Sequence, residues 1–288
     1  VEENTKVEIS GGLIGYSVYG GGKGIGQYKG YLRDQSSKAW KSTAEDLYSW
    51  TAGKVYGNTE VIMHNGYVMR SVYGGGYNGS VGKGNYASGA DDYYKAGYGE
   101  TLYKDENNKE NLWDNVSDYS KAFLNSGKTT VIISGGEVGT VYGVYDGFAV
   151  GQIYGGSRGR AAEDVGSLSP RYEYAPDFFL GYVNNTEVKI GTQPVGTVGE
   201  EGYVAGSAPT IHGSVYGGGR DGHVRNSSHV IINNGTIGHA YNASDDYQRD
   251  RGNVYGSGSG LGTWDGTLHG TSSGSVTRNT TVDVYGGT

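Results

Sequence analysis

The chain has 288 residues, with 55 glycines, 27 tyrosines, 4 prolines, no cysteine and a net charge of −7. Glycine without a three-residue period excludes collagen, and the lack of cysteine excludes disulfides, thiolate metal sites and cysteine nucleophiles. The acidic charge without a basic block argues against nucleic-acid binding, and no apolar run is long enough to predict a membrane span.

Short strands with one apolar face are predicted along the whole chain. In "TKVEI", "TEVIM", "TEVKI" and "TTVDV" apolar and polar residues alternate, as in a strand that buries one side. Val, Ile and Thr also favour strands. Six copies are anchored on Val7, Val61, Val131, Val188, Val230 and Val282. This recurrence at unequal spacing indicates an internal repeat.

A Val–Tyr–Gly motif accompanies these strands. "SVYGGG" occurs at Ser17–Gly22, Ser71–Gly76 and Ser214–Gly219, and looser copies occur at Gln152–Ser157 and Asn253–Gly258. The structural repeat residues of this motif are Val18, Tyr19, Val72, Tyr73, Val215, Tyr216, Val254 and Tyr255. Since neighbouring strand residues point to opposite faces, the tyrosines should point outward and stack as a ladder along the outside. The glycines allow close backbone approach at a flat corner.

The spacing of apolar residues predicts a corner before the Val–Tyr–Gly motif. Val68 and Val72 are four residues apart, and Val138 and Val141 are three apart. In one continuous strand this spacing would not keep all apolar residues of the unit on the inward face, whereas a bend between them allows each to point inward. Each unit, such as Gly53–Gly76, is therefore predicted to be three short strands joined by tight bends.

One unit cannot bury its apolar side alone, but stacked units can, about 4.8 Å apart. We therefore predict an all-β fold, a parallel β-helix or β-solenoid, in which residues 1–288 form a single domain of about six irregular coils. The main inserts, 23–51, 77–126 and 157–180, should leave the coils as long loops or short helices. Two ordinary β domains, a β-prism and a β-propeller remain alternatives.

Two stretches within the inserts predict helices or loops. They are "KAWKSTAEDLYSW" at 38–50 and "NLWDNVSDYSKAFLNSG" at 111–127, in which Ser117 is a plausible N-cap and Gly127 a stop signal.

Both ends of the chain predict a longer parent protein. The sequence begins directly on a strand-like stretch and stops after "TTVDVYGG", within a further turn. A last strand at that point would expose an unpaired edge. We therefore expect either more protein beyond it or end-to-end self-assembly into a fibre.

Exposed aromatic residues in the inserts are the candidate contacts for a ligand or partner. They are Tyr93, Tyr94, Tyr103 and Trp113, within the acidic stretch Ser88–Asp114. Aromatic rings stack on sugar faces while carboxylates and amides bind hydroxyls, and Tyr and Trp also dominate protein contacts. The alternative is that these rings cover the flank of the coils.

No catalytic, cofactor-binding or metal site is predicted. The acidic pairs, among them Asp245–Asp246, do not recur at one strand position, and the six histidines form no metal-binding triplet. Gly22–Gly26 and Gly156–Arg160 lack the phosphate-loop pattern. Asn-x-Ser/Thr sequences start at Asn184, Asn226, Asn234, Asn242 and Asn279, and most of them belong to the repeat. In the repeat, Asn and Thr side chains should bond to turn backbone or stack in ladders.

The six repeat segments resemble the glycine-rich "VYGGG…GNT.V.I.GG" regions of large surface proteins of gut Bacteroidales. More distantly, they resemble the β-helical passengers of bacterial autotransporters and adhesins. The resemblance implies a right-handed β-helix and an extracellular, structural or adhesive segment of a large exported surface or fibre protein. Its Tyr- and Trp-rich inserts would bind glycans or host or neighbouring proteins, with no enzymatic activity and no cofactor. A phage tail-fibre or tailspike segment and a polysaccharide lyase or hydrolase are the alternatives.

Overall fold

A computed structural model describes residues 1–24, 27–32, 42–43, 45–48, 53–82, 101–105, 110–112, 126–145, 147–159, 181–260, 274–276 and 278–288. In this part of the chain the fold is all-β and is dominated by parallel sheets. The helical structure described is a single 3-10 turn, Gln248–Asp250. None of the described helical structure is long and apolar enough to cross a lipid bilayer.

The first parallel sheet contains the six predicted anchor strands in chain order. Its strands are β1 (Thr5–Ile9), β6 (Thr59–Met63), β11 (Lys128–Ile133), β17 (Asn185–Ile190), β21 (Ser228–Ile232) and β24 (Thr280–Val284). Val7 pairs with Val61, Val61 with Val131, and the series continues in register to Val282. The predicted alignment of the six anchors is confirmed.

Two further parallel sheets repeat the same order of strands. The second sheet contains β2 (Leu13–Ile14), β7 (Tyr67–Val68), β12 (Glu137–Val138), β18 (Thr210–Ile211) and β22 (Thr236–Ile237). The third contains β3 (Val18–Tyr19), β8 (Val72–Tyr73), β15 (Ile153–Tyr154), β19 (Val215–Tyr216) and β23 (Val254–Tyr255). Val68 and Val72 thus lie in different sheets, which confirms the predicted corner between them.

One apolar core lies between the three parallel sheets. Val131 of the first sheet, Val138 of the second and Ile153 of the third are fully buried in the same cluster. The alternation in β6 shows why, since Thr59, Val61 and Met63 are buried while Glu60 and Ile62 are partly exposed. A period of two residues therefore directs one face of every strand into the shared core.

Beside the three parallel sheets, a second and smaller apolar cluster marks a fourth set of parallel contacts between coils. Its members are Val55, Val81, Val183, Val224 and Val276. Val55 pairs with Val81 and Val224 with Val276, while β16 (Tyr182–Val183) pairs with β20 (His223–Val224). The valine in "GKV", "GSV", "GYV" and "GHV" thus has its own column beside the three sheets.

This fourth contact corrects the borders of the second insert. Tyr77, placed at the start of insert 77–126, pairs in parallel with Lys23 and with Arg158, and Val81 pairs with Val55. Residues 77–82 therefore belong to the stacked repeat, because parallel pairing continues beyond the glycine corner before the chain leaves it.

The remaining strands lie within or beside the predicted inserts. β4 (Gln27–Leu32), β5 (Glu45–Tyr48), β9 (Thr101–Asp105) and β10 (Glu110–Leu112) form an antiparallel sheet in the order β10–β9–β4–β5. The helix or loop predicted over 38–50 is wrong at Glu45–Tyr48, where pairing with β4 satisfies the backbone groups. The predicted helix after Ser117 lies outside the described residues.

A hairpin interrupts the third coil where the sequence predicted a strand. β13 (Val144–Tyr145) and β14 (Phe148–Ala149) pair antiparallel just before β15. Val141, predicted to lie inside next to the corner, is half exposed in the preceding turn. The third strand of this coil is instead Ile153–Tyr154, because the glycines after Tyr154 permit the close stacking that the sheet requires.

A repeated side-chain hydrogen bond joins the first and third sheets within each of the first five coils. The Thr129 hydroxyl donates to the carbonyl oxygen of Gly155 at 2.5 Å, directly after the third strand. Equivalent bonds run from Thr5 to Gly20, Thr59 to Gly74, Thr186 to Gly217 and Ser228 to Gly256. The expectation that threonines of the repeat bond to turn backbone is confirmed at these positions.

We expect Thr129→Val to destabilise the protein by about 1–3 kcal/mol, because the buried carbonyl of Gly155 loses its donor. Thr129 is fully buried and valine has nearly its shape, so packing should change little. The free energy of unfolding in urea measures the loss. Thr130→Val, at the next and partly exposed position of β11, should change stability by less than about 0.5 kcal/mol. Equal losses in the two variants would contradict the role of this bond.

Candidate ligand-binding surface and tyrosine ladder

The structural repeat residues occupy equivalent positions of the third sheet. Val18 pairs with Val72 and Val215 pairs with Val254, each in parallel register. Val72 and Val215 are fully buried in the core between the sheets. The tyrosine that follows each valine lies outside this cluster, on the opposite face of the sheet.

The tyrosines of the third sheet form a continuous stacked ladder. Neighbouring ring centroids are 4.7–4.8 Å apart and the ring planes are within 14° of parallel. Its five rings belong to Tyr19, Tyr73, Tyr154, Tyr216 and Tyr255. The ladder is as predicted, but its middle is not on the surface, since Tyr73 is 2% and Tyr154 4% exposed.

Side chains from later coils bond to the hydroxyls of the ladder. Arg158 donates to Tyr19, and Arg220 donates to Tyr73. Each arginine follows the glycine corner two coils further along the chain, so it spans the intervening coil. The Arg158 guanidinium also lies 4.6 Å from the centroid of Tyr77. The ladder is therefore a structural element that ties non-adjacent coils together.

Burial disfavours ionisation of the inner phenols of the ladder. It raises the pKa of Tyr73 to about 12, with the neighbouring Tyr19 adding to the shift while Arg220 and Arg158 oppose it. Burial likewise raises the pKa of Tyr154 well above its usual value. Such hydroxyls act as hydrogen-bonding groups at neutral pH and not as bases.

A polar groove of about 610 Å³ crosses the first sheet near the start of its strands. It runs over strands β6, β11, β17, β21 and β24, which at about 4.8 Å per strand gives a length of about 19 Å. The lining residues are Asn58, Ser126, Lys128, Asn185, Thr186, Glu187, Ser227, Ser228, His229, Asn279 and Thr281. Amides, hydroxyls and a few charged groups thus dominate this surface.

Asparagine side chains build one wall of the groove through backbone contacts. The Asn58 carbonyl oxygen Oδ1 accepts from the backbone N–H of Lys128 at 2.9 Å, and Asn185 Oδ1 accepts from Ser227 at 3.3 Å. The predicted bonding of asparagines to backbone is confirmed here. Because these oxygens are held by the next coil, the amide nitrogens remain as donors for a molecule in the groove.

The charged groups of the groove are paired with neighbours in the same strand and in adjacent coils. Glu187 lies 3.1 Å from Lys128 and 2.7 Å from Lys189, and His229 lies 2.7 Å from Asp283. Burial opposes ionisation of Glu187, but hydrogen bonds and charge from Lys189 and Lys128 prevail and lower its pKa. Glu187 is therefore an ionised acceptor suited to binding hydroxyl groups.

The groove is a different surface from the one predicted by sequence. Tyr93, Tyr94 and Trp113 lie outside the described residues, and Tyr103 lies in β9, where only the backbone is described. The sequence signal for the groove is the Asn–Thr or Ser–Ser pair at the start of four first strands, which begins at Asn58, Asn185, Ser227 and Asn279. From sequence such residues are expected to form repeat ladders, since spacing alone does not show that they border an open groove.

Histidines and acidic residues outside the groove form ordinary structural contacts. His64 bonds to Glu8 and His212 to Glu137, each from a neighbouring coil. Asp245, from one of the acidic pairs, accepts from the buried Arg251 at 2.9 Å. In the described part of the chain, no three His, Asp or Glu residues are grouped to hold a metal ion.

A scan against protein-family models, a search of curated proteins and a search of solved structures each returned no match.

The buried ladder should make stability fall in alkali. Below pH 10 the Tyr73 hydroxyl is neutral in both states, but between about pH 10 and 12 the unfolded chain loses this proton while the folded chain keeps it. Stability should therefore decline over this interval, by about 2–3 kcal/mol for Tyr73. Urea unfolding at pH 9 to 11.5 should show a shallower decline for Tyr73→Phe than for the wild type. Tyr241→Phe, at an exposed position, should leave the decline unchanged, and a decline equally steep in Tyr73→Phe would contradict the assignment.

Proposed function

We propose that this chain is a right-handed β-solenoid rod that serves as a structural and adhesive segment of a large exported bacterial surface or fibre protein. Within it, the polar groove is the contact site for glycans. The protein acts outside the cell or at its surface, where a stiff rod extends a binding surface away from its anchor.

Closure of the coils is supported by four features of the described residues. The three parallel sheets share one strand order, one core and one register. A threonine or serine hydroxyl at the start of each of the first five coils reaches the glycine after the third strand of that coil. Right-handedness is supported by the strong preference of parallel crossover connections for that hand.

Reach and stiffness follow from this arrangement. Each coil adds about 4.8 Å, so the six strands of the first sheet span about 24 Å between their outer members. The tyrosine ladder, with Arg158 and Arg220 bridging alternate coils, resists bending of the stack. A rod of this kind lengthens by repetition without a larger core.

The groove is the observation that supports adhesion. Its amide and hydroxyl groups, with Lys128, Glu187 and His229, offer both donors and acceptors along about 19 Å. Sugar hydroxyls need this combination because each can donate and accept. Cross-strand hydrogen bonds hold the wall in place, so a bound chain would lose little affinity to ordering of the site.

A glycan array with the full chain tests this function. We expect the wild type to capture a glycan, and Lys128→Ala with His229→Ala to weaken capture by about tenfold or more, since two polar contacts are lost. Lys6→Ala with His64→Ala is the matched control, because these residues are the same types on or next to the same sheet, are about half exposed and are paired with a carboxylate. Thermal unfolding by circular dichroism verifies that both variants fold.

Two results would contradict the adhesive function. If the wild type captures no glycan, the chain is a rod without this activity. If both double variants lose capture equally, the groove is not the site.

A further inference from the structure

An arginine held between two tyrosine rings lies away from the groove, at the bend between the second and third sheets. Tyr16, Arg70 and Tyr145 come from three successive coils, the last from the hairpin β13–β14. The Arg70 guanidinium carbon is 3.7 Å from the Tyr16 ring centroid and 3.1 Å from that of Tyr145. The two centroids are 6.4 Å apart, so the guanidinium lies between the rings.

Both rings are open to solvent on their other sides. Tyr16 is 64% and Tyr145 50% exposed. The side chains of Leu13 and Met69, from the same coils as Tyr16 and Arg70, are exposed as well. Exposed apolar groups around a cation are typical of a site that binds an amphipathic ligand.

The charge of Arg70 is not neutralised by the described part of the protein. No described carboxylate lies within salt-bridge distance of its guanidinium, whereas Arg251 is paired with Asp245 and Arg158 bonds to a ladder tyrosine. The two rings flank the guanidinium carbon from opposite sides with their planes 67° apart, so at most one ring lies parallel to the guanidinium. The N–H groups of the guanidinium form a fork that matches a carboxylate.

We propose that Tyr16, Arg70 and Tyr145 form a site for the carboxylate of an acidic sugar, of the uronic or sialic acid type. The guanidinium fork binds the carboxylate with two hydrogen bonds, and the flanking rings restrict the guanidinium before binding, so little side-chain entropy is lost. The outer ring surfaces pack against the C–H face of the sugar.

An acidic sugar matches this site better than an acidic peptide does. A peptide carboxylate would contact only the guanidinium. The exposed tyrosines on either side provide flat apolar surface that a sugar ring can cover. This site shares no residue with the groove, so the inference does not depend on the proposed function and fails or holds separately from it.

Calorimetric titration of the full chain tests the site with four probes: trigalacturonate, trigalactose, sialyllactose and lactose. We expect at least one acidic sugar to bind about tenfold or more tightly than its neutral counterpart. Arg70→Lys should lower that affinity by about tenfold or more, because it keeps the charge but removes the planar fork. Arg249→Lys, the same change at an exposed arginine, should leave affinity unchanged.

The contribution of the rings is measured with Tyr16→Ala and with a hexaglutamate peptide. Tyr16→Ala should weaken sugar binding several-fold, and hexaglutamate should bind more weakly than the acidic sugar. The proposal is overturned if neither acidic sugar binds, if Arg70→Lys binds like the wild type, or if hexaglutamate binds as tightly as the sugar. Circular dichroism of each variant separates loss of binding from loss of folding.

Discussion

Backbone hydrogen bonding between parallel strands in register is the interaction on which the rest of this structure depends. It places equivalent residues of successive coils directly over one another, at about 4.8 Å. Val61 therefore stacks on Val131 in the core, Tyr73 on Tyr154 in the ladder, and Asn58 aligns with Lys128 along the groove. The core, the ladder and the groove are three consequences of one spacing, and a shift by one residue would disrupt all of them.

The glycines of the repeat allow this spacing at the bend. A side chain at Gly155 would overlap with the backbone carbonyl of Gly217 in the next coil, so glycine is needed there for close approach. The same carbonyl column accepts the threonine hydroxyls that join the first sheet to the third, as Thr186 does to Gly217. The recurrence of Thr before the anchor valine and of Gly after the tyrosine thus has one physical cause, the close approach of the glycine backbone at the bend.

Much of the stacked framework could be predicted from sequence because it depends on local period and repetition. The alternation around Val61 and the bend between Val68 and Val72 are both visible in the chain. From sequence the third strand of the third coil is expected at Val141, because "VYG" also occurs in the turn before the hairpin, although it lacks there the second glycine that follows Tyr154. Burial of the ladder could not be predicted, since the arginines bonded to it come from coils two steps away. The contact of Arg70 with Tyr16 and Tyr145 could not be predicted either, since these residues are distant in sequence.

Spin-label distances between equivalent positions of distant coils test the stack most directly. The chain has no cysteine, so labels attach only where cysteine is introduced. Lys6, His229 and Thr281 occupy equivalent outward positions of β1, β21 and β24. We predict pulsed-dipolar distances of about 19 Å for Lys6→Cys with His229→Cys and about 24 Å for Lys6→Cys with Thr281→Cys. A distance to position 281 that is equal to or shorter than the distance to position 229 would contradict a single column of stacked coils.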